Sequence, residues 1–144
     1  MFIYTMKNNR IFYLLFIILA GCVPFPHTET FTPKINGTLI QNELPQKGTE
    51  VVLTEDASCK IITEKSITNE KGEFTLGPIT KFRLVLQMEA AYGWNICIRE
   101  DSNYYPISNF ISFGQAPEQV NISCEVKENL DTKRRNWCSI ENET

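Results

Sequence analysis

The chain reads as an all-β protein, a small disulfide-stapled β-sandwich of about seven strands. Three observations predict it. Between residues 34 and 127, short apolar runs are separated by glycine, proline, asparagine and aspartate turn signals, with hardly a helical period. "KFRLVLQME" (81–89) alternates Phe82, Leu84, Leu86 and Met88 against Arg83, Val85, Gln87 and Glu89, the period of a half-buried strand. Finally, an even set of four cysteines follows an N-terminal one in a chain that begins with an export-type segment.

The elements follow in order. Lys7 and Arg10 precede "IFYLLFIILA" (11–20), an uncharged run of signal-peptide length, well short of the roughly 20 residues of a membrane span. Residues 1–21 are therefore expected to be a signal peptide. "VPFPHTETFTP" (23–33) carries prolines at 24, 26 and 33 and the single histidine, His27. Together with Cys22 it is expected to form a proline-rich tether over 22–33, reaching roughly 34 Å at about 3.1 Å per residue.

The sandwich is expected over residues 34–128. "KINGTLI" leads through the turn-rich "QNELPQKG" to "TEVVLTE", then a loop with Cys59, then "KIITEKSIT". "NEKG" turns into "EFTLGP", and the alternating 81–89 strand follows. In "YGWNICIRE", Trp94, Ile96 and Ile98 share the apolar face, which turns Cys97 to the other side with Asn95 and Arg99. "NYYPISNF" (103–110) is the least strand-like part, whereas "VNISCEV" puts Cys124 on the apolar face with Val120, Ile122 and Val126. Residues 129–144 form a polar tail that Cys138 would staple down.

Cysteine arithmetic separates Cys22 from Cys59, Cys97, Cys124 and Cys138. In an oxidising compartment those four imply two disulfides, with three connectivities open. Short loop closure leans toward Cys124 with Cys138 and Cys59 with Cys97. A zinc site is disfavoured, because no C-x-x-C pair exists and no histidine accompanies the thiols.

The first 22 residues resemble a bacterial lipoprotein precursor: charge, apolar run and the box Leu19-Ala20-Gly21-Cys22 stand in the right order. The resemblance implies that Cys22 is the lipidated, new N-terminal residue. Several acyl chains would anchor the body permanently to a membrane. Val23, which is not acidic, implies the outer membrane rather than the inner. An ordinary secretory cleavage leaving a free thiol, or an uncleaved anchor, are the alternatives.

A second resemblance lies in the body. Gly37, then Pro45-Gln46-Lys47-Gly48-Thr49-Glu50-Val51-Val52-Leu53, then Thr68-Asn69-Glu70-Lys71-Gly72-Glu73-Phe74 are similar to the carboxypeptidase regulatory-like domain, which implies a transthyretin-like sandwich. Val51, Leu53 and Phe74 would enter the core. Asn69 and Gly72 would turn a hairpin.

Chemistry is sparse. The body beyond residue 33 has no histidine, and His27 would serve as a base only if its segment folded back. No catalytic residue, metal or cofactor is expected. Tyr104 and Tyr105, in a loop beside Pro106, are the candidate contact surface, since tyrosine suits half-exposed interfaces. From residue 22 on, 12 basic residues stand against 17 acidic ones, a net of −5, which argues against nucleic acid or an anionic lipid surface as the natural partner of the body. The expectation is a non-enzymatic, lipid-anchored binding or accessory module at the outer membrane, facing the periplasm. An inhibitor or immunity lipoprotein against a periplasmic hydrolase or toxin is the first alternative. A lipoprotein subunit of an envelope assembly is the second.

Overall fold

The computed structural model describes residues 27–83, 91–114, 116–127 and 137–141. The expected signal peptide, Cys22, the start of the tether, the second half of the 81–89 strand and most of the C-terminal tail lie outside these residues. What is described is all-β: β1 (His27–Thr32), β2 (Lys34–Gln41), β3 (Leu44–Pro45), β4 (Glu50–Thr54), β5 (Ile62–Ile67), β6 (Glu73–Leu76), β7 (Ile79–Arg83), β8 (Ala91–Glu100), β9 (Asn103–Phe113), β10 (Gln119–Val126) and β11 (Cys138–Ile140).

The strands form two facing sheets and a ribbon. One sheet runs β11-β10-β2-β3, with β6 also paired to β2; the other runs β5-β4-β8-β9; β1 and β7 make the ribbon. β10 lies parallel to β2, in register from Gln119 against Lys34 to Val126 against Gln41. Ile35, Leu39, Leu76 and Ile122 from the first sheet meet Val51, Leu53, Ile96 and Ile107 from the second in one buried cluster. Each such side chain contributes about 1.5–3 kcal/mol by leaving water. The small β-sandwich expected from the sequence is the observed architecture.

The motif glycines have packing reasons. Gly37 faces Phe74 across the β2–β6 pair, and the Phe74 ring lies over it, so that a Cβ there would come within 2.2 Å of Cζ. At Gly72 φ is +74°, and a Cβ would stand 2.4 Å from the Leu39 carbonyl oxygen, whose residue donates its own N–H to the Gly72 carbonyl at 2.8 Å. Asn69 closes the turn by accepting from the N–H groups of Lys71 and Glu73 at 2.8 and 2.9 Å.

Both disulfides form, joining Cys59 to Cys97 and Cys124 to Cys138. This is the pairing toward which loop closure leaned. Cys124 and Cys138 are direct cross-strand neighbours of β10 and β11, whereas Cys97 lies on the outer face of β8 and ties down the loop that carries Cys59. With sequence separations of 38 for Cys59–Cys97 and 14 for Cys124–Cys138, chain-entropy arguments give about 4 and 3 kcal/mol of stabilisation.

Three expectations change. Residues 27–32 belong to the expected tether but form β1, antiparallel to β7. Phe31 meets the Tyr92 ring edge-on at 5.5 Å and lies 3.9 Å under Lys81 Nζ, while the buried Thr32 hydroxyl accepts the Ile79 N–H at 3.1 Å. Proline content alone does not reveal such partners, which lie some 50 residues away. Residues 103–110, expected as a loop, belong to the eleven-residue strand β9. Pro106 fits there because β9 is an edge strand and its pairing slips between Ile96 and Cys97, leaving Ile107 as the bulged residue. The strand count is eleven rather than about seven among the described residues. The two-residue β3 and three-residue β11 are too short to show a period, and a cis Gly77–Pro78 peptide separates β6 from β7.

Candidate functional site

Alternation decides which side chains reach the outer face of the β5-β4-β8-β9 sheet. Val51 and Leu53 enter the core, so Glu50 and Val52 point outward; Ile96 and Ile98 enter it, so Cys97 and Arg99 point outward. Across the ladders Lys65 stands opposite Val52, and Tyr104 opposite Arg99. The result is one outer patch with an apolar half and a charged half.

The apolar half consists of Val52, Cys59 and Cys97, flanked by Ile62 and Tyr104. The loop over it is locked by Asp56, whose backbone N–H donates to Thr54 Oγ1 at 3.0 Å and whose carboxylate accepts from the N–H and hydroxyl of Ser58. Those Ser58 hydrogen bonds hold the Asp56 carboxyl below its ordinary pKa.

The charged half centres on Glu50, whose side chain is 20% exposed. Lys65 Nζ donates to Oε1 at 2.8 Å, the Tyr104 hydroxyl donates to the same oxygen at 2.7 Å, and Arg99 donates to Oε2 at 3.2 Å. Lys65 also donates to the Tyr104 hydroxyl oxygen at 3.1 Å. The Lys65, Tyr104 and Arg99 donors hold the Glu50 carboxyl at about 2, and Glu50 in turn raises Lys65. A carboxylate held so firmly ionised is suited to structural pairing and ill suited to proton transfer near neutral pH.

Tyr104 and Tyr105 do not form a single patch. Tyr104 belongs to the outer network, while Tyr105 is half-buried opposite Ile98 and therefore on the other face of the strand. Trp94, on the apolar face as expected, is buried and stacks on Phe110 at 5.5 Å. Arg99 reaches from the Glu50 network to a shallow cleft at the open end of the sandwich, lined also by Leu39, Gln46, Thr49, Ile98 and Val126. At about 190 Å³ it is smaller than the roughly 300–1,000 Å³ of typical small-molecule sites.

Glu50 and Lys65 were not among the residues that the sequence singled out. Parity is the signal that could have found Glu50, one step from the inward Val51 on β4; Lys65, between Glu64 and Ser66, has no such local signal and is placed only by its pairing with Val52. Among the described residues no three His, Cys, Asp or Glu side chains converge as a metal-ligand set, and no helix is long and apolar enough to cross a membrane. No protein-family model and no curated protein matches this chain.

Proposed function

We propose that the protein is a non-enzymatic binding or accessory module of the bacterial envelope, anchored through acyl chains on Cys22 at the outer membrane and facing the periplasm. The observation that carries this reading is the ordered N-terminal sequence: Lys7 and Arg10, an uncharged apolar run, then Leu19-Ala20-Gly21-Cys22. Disulfide pairing supports it. Cys59, Cys97, Cys124 and Cys138 satisfy one another, which suits an oxidising compartment and leaves Cys22 as the cysteine outside both bridges. Recognition of a partner would then use the outer sheet faces and loops of a rigid sandwich.

The kinship proposed for the body is with carboxypeptidase regulatory-like, transthyretin-type domains. The packing of Phe74 on Gly37 and the turn at Asn69 and Gly72 support it, because the motif residues do physical work at those positions.

The test of the anchor is metabolic labelling with a palmitate analogue, followed by membrane fractionation. Wild type is expected to be labelled and membrane-bound, and Cys22→Ser to be unlabelled and released. A wild type that takes up no label while remaining soluble would overturn the proposal.

One observation favours a second reading, an inhibitor or immunity lipoprotein directed at a basic hydrolase. Lys47, Lys65, Lys81 and Arg99 are each paired with a glutamate of the same chain, and the net charge of −5 beyond residue 21 would suit a basic partner. Loss of activity of a lysozyme-like enzyme on titration with the protein would favour it. Co-purification with a multiprotein envelope complex would favour the assembly subunit instead.

A further inference from the structure

Because residues 27–32 are a strand and not a tether, at most four residues separate Cys22 from the folded body. Whatever their conformation, five Cα steps of at most about 3.6 Å place His27 within about 18 Å of Cys22. The tether inferred from the sequence would have allowed roughly 34 Å. A link this short favours the face beside His27 as the one that meets the surface holding Cys22.

That face is set by the ribbon. His27 pairs with Arg83 and Thr28 with Phe82, so the end of the ribbon nearest Cys22 presents Phe82, which is 63% exposed. Alternation puts Thr28, Thr30, Thr80 and Phe82 on the outward side, while Phe31 and Lys81 turn inward to Tyr92 and Glu55. The outward side is thus uncharged and carries one large aromatic ring. In a body with a net charge of −5 beyond residue 21, a neutral face is the one that meets an anionic headgroup layer with least repulsion. An exposed aromatic ring gains most at that interface.

We infer that the outward face of the β1–β7 ribbon, with Phe82 as its foot, seats on the lipid bilayer that holds Cys22; this rests on the acylation of Cys22 proposed above. The ring fixes the orientation, and the acyl chains supply the affinity. Leu44, in β3 opposite Gln41, lies at the end of β2 about 23 Å along the strand from Lys34 and outside the seated face, so it serves as the reference position.

The test uses the full-length acylated protein in vesicles of phosphatidylethanolamine and phosphatidylglycerol doped with acyl-brominated phosphatidylcholine. Phe82→Trp is compared with Leu44→Trp, both exposed positions, over the common background of Trp94 and Trp137. Phe82→Trp is expected to show blue-shifted emission and roughly twofold stronger bromine quenching than Leu44→Trp. Equal quenching in protein that floats with the vesicles and carries acyl mass on Cys22 overturns the seating alone. Failure to float, with an unmodified Cys22, overturns the anchor and the seating with it.

Discussion

Three donors from three strands converge on Glu50, and this makes its ionised form part of the folded state. Its folded pKa of about 2 lies below the ordinary 4.5, so its contribution is fully present above pH 4.5 and is lost as pH falls from there toward 2. Thermal unfolding of wild type is therefore expected to become steeply acid-sensitive across that window. Glu50→Gln should be less stable at pH 7, with the difference from wild type shrinking as pH falls to 2. A difference that does not change with pH would refute the assignment. Gly37 offers a second residue-scale case, because the Phe74 ring occupies the space that any Cβ would need. Gly37→Ala is expected to cost roughly 1–3 kcal/mol in denaturant unfolding, and a smaller partner in Gly37→Ala/Phe74→Leu should recover part of it. The resemblance motif names both residues in the sequence. The reason that they go together is visible only where β2 and β6 pair.

At the scale of elements, the ribbon and the edge strand show what local pattern leaves out. β1 has no apolar period, and its threonines and the prolines flanking it read as linker; it becomes a strand because β7 supplies hydrogen bonds and Tyr92 and Lys81 receive Phe31. Deleting residues 27–32 is accordingly expected to lower the melting temperature by several degrees, since Phe31 and Thr32 leave their contacts. A free tether would be removed at no cost, so an unchanged melting curve would count against β1. β9 misleads in a different way. Pro106 breaks a central strand but not an edge strand with a bulge, and Ile107 at that bulge is buried while its carbonyl accepts the Trp137 N–H at 2.8 Å. That bond also brings the C-terminal segment against β9, beyond what its disulfide alone requires.

For the molecule as a whole, the parallel pairing of β2 with β10 joins residues 85 apart in sequence, as at Asn36 and Asn121, whose side chains meet at 3.3 Å. Such pairings carry a large loop-closure cost before any contact rewards it. With its disulfides intact, the protein is expected to refold in milliseconds to seconds in stopped-flow experiments; microsecond folding would contradict the topology. The all-β class, the inward set of Val51, Leu53, Trp94, Ile96 and Ile98, the Asn69–Gly72 turn and the outward turn of Cys97 were all legible in the sequence. Each depends on period-two alternation or on turn chemistry within a few residues. The sequence left three cysteine pairings open, separated Glu50 from Lys65, Arg99 and Tyr104, and read β1 as linker. Only the tertiary structure decided these, because each depends on which distant strands become neighbours, and a local pattern records the face of a strand but not its partner.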